Sequence, residues 1–325
     1  MTDNTQKKNR ITVVGLCGMS ALLRTEHLPL PGETVQAARL VYEVGGKGMN
    51  QAVAAQRMGA QTYFVTASGD DAFGQCIRDG CQAVGFSGYR ILEKQQVASA
   101  FAAVSVASDG ENHVTVYRGA CDEITPEDID GMEMQIAESD VLLLQLEIPM
   151  EAVVRAAEIG KRHGVFVMLN TAPATDLSKA LIRNVDLITP NRGEAERLTG
   201  MASDTAPAAM AKCLQEMGFR HVIVTLGGDG VLLALDGAEP KHFGAFAVPC
   251  VDTTGAGDTF NGTLGACIAN GMPIEAAVRY GAAASALCVM RQGVVAAIPH
   301  RAETEKFLFA QLGHNTHKNQ GNSDI

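Results

Sequence analysis

Val141-Leu142-Leu143-Leu144-Gln145-Leu146 is a run of aliphatic residues broken by a single amide. A strand with one wet face alternates apolar and polar residues. This run has no polar face and reads as a parallel strand buried on both sides. Met150–Arg162 follows with helical spacing, and Val165–Leu169 is apolar again. Alternation of this kind marks an α/β protein. It extends in both directions. Upstream, Ile11–Val14 and Thr62–Thr66 read as strands, with Lys47–Met58 and Ala72–Val84 as helices. Downstream, Val185–Thr189 and Val222–Thr225 read as strands, and Ala-rich Gly257–Asn270 and Ile274–Met290 as the helices that end the fold.

Two segments break the rhythm. Leu22–Val44 holds His27-Leu28-Pro29-Leu30-Pro31-Gly32-Glu33 and then a β-rich stretch. Val97–Arg118 reads as two strands around the turn Ser108-Asp109-Gly110-Glu111-Asn112, where Asp-Gly is a hairpin signal. They form either one small sheet over an edge of the body or two unrelated surface hairpins.

The 325 residues have room for one large domain or two modest ones. With 46% hydrophobic and 19% charged residues, a disordered chain is excluded. Tryptophan is absent and aromatics are 5%, so the core must be aliphatic. A net charge of −10 without a basic stripe argues against nucleic acid as partner. The eight cysteines form no CxxC pair, and many lie in apolar stretches. They read as reduced, buried thiols of a cytoplasmic protein. Met1–Arg10 is polar and no apolar segment follows it, so neither a signal peptide nor a membrane span is expected. Gly313–Ile325 is polar and expected to be disordered.

Asp252-Thr253-Thr254-Gly255-Ala256-Gly257-Asp258-Thr259-Phe260 is the sharpest chemical feature. Gly255, Ala256 and Gly257 open a helix, where unpaired N–H groups and the helix dipole favour an anion. Such a hole can stabilise charge on a transferring phosphoryl group. Asp258 beside it would accept a proton from an attacking hydroxyl. The same residues also serve as an ordinary N-cap after a glycine turn.

Gly45-Gly46-Lys47-Gly48-Met49-Asn50 opens another helix, with Lys47 and Asn50 free to bond hydroxyls. It lacks the Ser or Thr of a Walker A loop and is not a dinucleotide fingerprint. Asn191-Arg192-Gly193-Glu194 follows a strand end, where ligands collect in open α/β sheets, and Glu194 could hold Mg²⁺ through water. A dipole-matched helix cap is the plainer reading. Thr225-Leu226-Gly227-Gly228-Asp229-Gly230 is another glycine-rich strand end, lying against a nucleotide or turning a tight hairpin into Val231–Leu235.

The order and spacing of these motifs resemble the ribokinase-like (PfkB) carbohydrate kinase family from about Ile11 to Leu308. Pro31-Gly32-Glu33-Thr34, Leu144-Gln145-Leu146-Glu147 and Asp258-Thr259-Phe260-Asn261-Gly262 extend the match, and its ribokinase and deoxyribokinase branch looks nearest. The resemblance implies a doubly wound, mostly parallel sheet flanked by helices, spanning 1–15, 45–96 and 119–312. It implies a small β-sheet lid from 16–44 and 97–118. It implies transfer of the γ-phosphate of ATP to a hydroxymethyl group of a small carbohydrate, ribose or a related pentose first. Asp258 becomes the catalytic base, with Gly255, Ala256 and Gly257 as the anion hole. Gly46, Lys47, Asn50 and Glu147 match sugar contacts. Asn191 and Glu194 match the phosphate and Mg²⁺ motif, and Thr225, Gly227, Gly228 and Gly230 the nucleotide site. A monovalent cation, K⁺, would sit on Asp252 with carbonyls of Thr254, Cys288, Arg291 and Gly293. Relatives of this kind dimerise through the lid.

Departures bear on the substrate. Ribokinases carry an Asn and an Asp after the first strand, and both contact the sugar. Gly18 and Ser20 stand in those places. Hydrogen-bonding sites discriminate strongly, so this change is expected to alter specificity, with room at Gly18 for a bulkier group. Ala297 stands where a serine near the cation is usual. A nucleoside kinase, with Met19 and Tyr42 walling a base, is the second reading. A silent sugar or nucleotide sensor is the third, and the intact Asp258 argues against it.

Overall fold

The computed structural model describes residues 8–109 and 111–318. The chain opens with β1 (Arg10–Val14), β2 (Gly18–Arg24) and β3 (Arg39–Gly45), then α1 (Lys47–Arg57), β4 (Gln61–Gly69), α2 (Ala72–Val84) and β5 (Gly88–Lys94). There follow β6 (Ala100–Val106), β7 (Asn112–Tyr117), α3 (Pro126–Asp130), α4 (Glu133–Ala137), β8 (Val141–Leu144), α5 (Met150–Arg162) and β9 (Phe166–Leu169). Next come α6 (Lys179–Asn184), β10 (Leu187–Ile188), α7 (Arg192–Thr199), α8 (Pro207–Glu216), β11 (His221–Thr225), β12 (Val231–Ala234) and β13 (Lys241–Phe243). The chain ends with α9 (Ala256–Ala269), α10 (Ile274–Val289) and α11 (Arg301–Lys318).

Among the described residues, nine strands form one sheet in the order β13-β12-β11-β10-β9-β8-β1-β4-β5. It is parallel from β5 to β11, with β12 and β13 added antiparallel. The apolar runs have the burial they require. Leu142 and Leu144 pack with α3 to α8, while Val141 and Leu143 pack with α1, α2, α9 and α10. Strand order reverses at β1, which lies between β4 and β8. Ligands of open α/β sheets bind outside the carboxyl ends of the strands at such a point.

The two irregular segments join into one sheet, ordered β3-β2-β6-β7. β2 pairs antiparallel with β3 and parallel with β6, and β6 turns back into β7. The joining strand starts at Gly18, earlier than the excursion read from sequence. The Pro-rich piece is a turn, closed by Glu33 N–H donating to the Leu30 carbonyl at 2.9 Å.

Some expectations change. β5 is an edge strand that residues 88–94 did not announce, because half its side chains face water. α11 continues through Lys318, past the expected tail start at Gly313, since a helix once nucleated propagates cheaply. Residues 1–7, Gly110 and 319–325, which include parts of the expected N-terminus, turn and tail, lie outside the described residues. Cys17, Cys81, Cys121, Cys267 and Cys288 are buried free thiols, but Cys250 is exposed. No helix among the described residues is long and apolar enough to cross a membrane.

α9 runs through the core against α1, and Gly262 makes the approach possible. A Cβ there would lie 2.2 Å from the Gln51 carbonyl and 2.6 Å from Ala54 Cβ. Gly→Ala inside a helix normally gains up to about 1 kcal/mol. Overpacking against backbone costs about 1–3 kcal/mol and outweighs it. Gly262→Ala is therefore expected to lower the unfolding free energy by about 1–2 kcal/mol, seen as a lower urea midpoint with an unchanged slope, and an unchanged or raised midpoint would contradict this packing.

Candidate active site

Asp258 lies in the first turn of α9, buried above the sheet's reversal point. Its Oδ2 accepts from Asn50 Nδ2 and its Oδ1 from Gln51 Nε2, each at 2.9 Å. Gln51 Nε2 also donates to Asn170 Oδ1 at 3.1 Å, and Gln145 Nε2 donates to Gln51 Oε1 at 2.7 Å. Asn170 Nδ2 donates to the Thr189 carbonyl at 3.0 Å. Amides just past the ends of β8 and β9 thus position α1, and α1 positions the carboxylate. Each Asp258 oxygen keeps a lone pair for a hydroxyl donor.

α1 has no side chain of its own at its N-terminus, because its N-cap is Gly46. Glu147, in the loop after β8, takes that role and accepts from the Lys47 backbone N–H at 3.1 Å. Gly48 follows because a Cβ there would lie 2.5 Å from the Gly15 carbonyl carbon. The Lys47 ammonium is held above its usual range by Asp258, with Glu147 and Glu194 adding to the effect against burial. Burial pushes the Glu147 carboxyl up, opposed by Lys47 and reinforced by Asp258. Burial likewise raises Glu194. Lys47, Asp258, Glu147 and Glu194 therefore share one cleft.

Asn191 and Glu194 form a capping box. Asn191 Oδ1 accepts from Glu194 N–H at 2.9 Å, and the Glu194 carboxylate accepts from Asn191 N–H and Nδ2 at 2.9 and 2.8 Å. The plain helix-cap reading is thus part of the structure, and the cap faces the cleft. Asn191 bridges to Thr225, bringing the two strand-end loops together. Thr225 through Gly230 is also the expected hairpin, tightened by a 3₁₀ turn at Gly227–Asp229. Gly227 and Gly228 border open space, whereas Gly230 is required by packing, since a Cβ would lie 2.0 Å from the Phe243 carbonyl oxygen.

Gly255 is the N-cap of α9 in the left-handed region, with φ of 77°, and Gly257 borders open space. The Ala256 N–H closes a turn onto the Thr253 carbonyl at 3.2 Å. As first-turn groups, the N–H of Gly257 and Asp258 have no acceptor within the helix. The residues expected around a monovalent cation also meet. Asp252 accepts from Thr254 N–H at 3.0 Å and from Gly293 N–H at 3.3 Å, and the Cys288 carbonyl accepts from Arg291 N–H at 3.0 Å. Burial pushes the Cys288 thiol up, so it stays protonated beside Asp252.

Two expectations about the small sheet fail. Gly18 leaves no room, because a Cβ there would lie 2.6 Å from the Ala100 carbonyl oxygen of β6. Tyr42 cannot wall a base beside Ser20. Ser20 pairs with Glu43, and Tyr42, one residue on, projects from the opposite face and is 59% exposed. Met19 alternates with Ser20 in the same way. Ser20 itself faces the cleft: its Oγ and Asn50 Oδ1 are each 3.7 Å from the place a Gly45 Cβ would take.

Sequence reasoning assigned no role to Gln51, Gln145, Asn170 or Thr189. For the last three the signal is a polar residue just past an apolar strand, as in Leu144-Gln145, Leu169-Asn170 and Ile188-Thr189.

Comparison with known proteins identifies the class. The model of the pfkB family carbohydrate kinases matches residues 8–301, and the chain belongs to that family. The ribokinase of Haemophilus influenzae is 36% identical, over 93% of this chain and 99% of its own. The deoxyribokinase of Salmonella typhimurium is 33% identical, over 92% of this chain and 98% of its own. The structure of Arabidopsis thaliana ribokinase, complexed with ribose and ATP, superposes with a TM-score of 0.84 at 31% identity, covering 92% of this chain and 98% of that one.

The carboxylates yield a pH test. Glu147 binds its proton more tightly folded than unfolded, so the stability it contributes is complete below 4.5 and is lost as pH rises through its higher folded value. Glu147→Gln removes that loss. In thermal melts without ligands, the variant should gain on the parent protein as pH rises above 4.5 and level off once the folded carboxyl has ionised. A difference independent of pH would contradict the burial assigned to Glu147.

Proposed function

We propose that this carbohydrate kinase transfers the γ-phosphate of ATP to the hydroxymethyl group of ribose or a closely related pentose. The observation that carries this reading is the buried Asp258, held by Asn50 and Gln51 next to the free N–H groups that start α9. Asp258 takes the proton of the attacking hydroxyl at its free lone pairs. In a loose phosphoryl-transfer transition state the proton leaves late, so the carboxylate has only to be positioned to receive it. At the Gly255–Gly257 turn the N–H groups left without a helix acceptor, those of Gly257 and Asp258, receive the charge that develops on the phosphoryl oxygens. Lys47, Asn50 and Glu147 orient the sugar, and the small sheet closes over it and excludes water as a competing nucleophile.

ATP supplies the phosphoryl group, and it fits the site. Gly227 and Gly228 border open space just after Thr225, which bridges to Asn191 at the strand ends. Glu147, Glu194 and Asp258 outnumber the Lys47 ammonium, which leaves negative charge for a divalent cation to balance. Among the described residues no group of three or more His, Cys, Asp or Glu side chains is arranged to hold a metal unaided. Mg²⁺ would therefore rely on phosphate oxygens and water, with Glu194 behind the water, as its chemistry prefers. K⁺ would lie on Asp252 and the carbonyls of Thr254, Cys288, Arg291 and Gly293. A homodimer would use the outer face of the small sheet, where Leu40 and Tyr42 are exposed. The free thiols suit the cytoplasm.

The test is ADP release with Mg-ATP and K⁺ across ribose, deoxyribose, other pentoses, hexoses and nucleosides. Ribose or a near relative should turn over. Asp258→Asn should lower kcat by roughly 10²–10⁴-fold, the range for loss of a general base, with little change in binding. Near-normal turnover in that variant would overturn the assignment.

A further inference from the structure

Glu43 has no place in the reaction described above, and its surroundings are unusual. It lies on β3 directly across from Ser20 on β2, so both side chains leave the sheet on the same face. Ser20 marks that face as the inner one, because its Oγ shares the space around Gly45 with Asn50 Oδ1, and Asn50 donates to Asp258. Glu43 Oε1 is shut off from solvent and has no hydrogen-bond partner. Glu43 Oε2 lies 3.9 Å from the place a Gly293 Cβ would take. Burial pushes this carboxyl up and nearby Asp252 adds to the rise, while the Val294 N–H opposes it. Among the described residues no Lys, Arg or His pairs with it. Asn50 Oδ1, below the same face, is a second buried acceptor without a donor.

A buried acceptor left unpaired costs about 1–3 kcal/mol. Glu43 leaves one such acceptor on the sheet face that carries the Ser20 hydroxyl, and Asn50 leaves another near that hydroxyl, which calls for an occupant rich in donors. A polyol meets that demand. An anion is repelled by Glu43 and Asp252, and an apolar group leaves both acceptors stranded.

We propose that Glu43 is a specificity-determining residue, whose carboxylate on the inner face of the small sheet accepts a hydrogen bond from a sugar hydroxyl other than the one phosphorylated. The proposal rests on the sugar-kinase reading and adds the residue by which the sheet reads the substrate. Hydroxyls at that point are recognised, and an analogue lacking the contacted one is rejected. Ser20 and Glu43 act together, the short side chain leaving the long one access.

Steady-state kinetics on Glu43→Ala and Glu43→Gln test this, with ribose and with ribose analogues that each lack one hydroxyl. A hydrogen bond to a charged group is worth about 1.5–3 kcal/mol, or roughly 10–150-fold. Glu43→Ala should raise KM for the sugar about 10–100-fold, leave KM for ATP unchanged and keep kcat within about 3-fold, all within the reach of one such bond. Glu43→Gln, which still accepts through its amide oxygen, should recover most of the loss. One deoxy analogue should be rejected by the parent protein and not by Glu43→Ala. An unchanged sugar KM in Glu43→Ala overturns the proposal. So does a parallel rise in both KM values with a lowered melting temperature, which marks a strut between the sheet and the Gly293 loop. Silence of the parent protein on every sugar, with ATP bound, overturns the kinase reading and this proposal with it.

Discussion

The Gln51 side chain carries the arrangement on which the site depends. One amide joins Gln145 and Asn170, at the ends of neighbouring parallel strands, to Asp258 at the start of a helix. An amide bridge in a dry environment has few alternatives, because each broken bond strands a buried donor or acceptor. The carboxylate is therefore set by groups at the ends of the sheet's strands. The close approach of α9 to α1 at Gly262 brings the two helices near enough for the bridge to reach. Fold and site share that constraint.

Charge supplies the second layer. Glu147 caps α1 from outside the helix because Gly46 has no side chain to do so, and it thereby stands beside Lys47 and Asp258. Lys47 is shared among three carboxylates, Asp258, Glu147 and Glu194, which together hold its ammonium above its usual range. On the small sheet Ser20 and Glu43 share one face, while Tyr42 and Leu40 leave the other and are exposed. Strand alternation alone separates the two faces.

Much of this was legible in the sequence. Apolar runs such as Val141–Leu144 can only be strands buried on both faces, so the α/β class followed, and Met150–Arg162 showed its helix by period. The glycine-rich starts of α1 and α9 were readable because glycine where a helix begins signals backbone approach. What stayed hidden depends on pairs distant in sequence. Nothing local told that Ala100 would fill the space at Gly18, since that contact is set by the register of β2 with β6. Tyr42 looked available to a ligand until pairing fixed which way it points. Gln51, Gln145 and Asn170 resembled ordinary polar residues because their importance lies in each other.

The most direct test of the account is a crystal structure with ribose and a non-hydrolysable ATP analogue. The account predicts the primary hydroxyl within hydrogen-bond reach of Asp258, about 2.6–3.2 Å. It also predicts the terminal phosphate against the Gly255–Gly257 turn, and Asn50 and Gln51 still donating to the carboxylate. A hydroxyl directed away from Asp258, or a phosphate bound elsewhere, would contradict it.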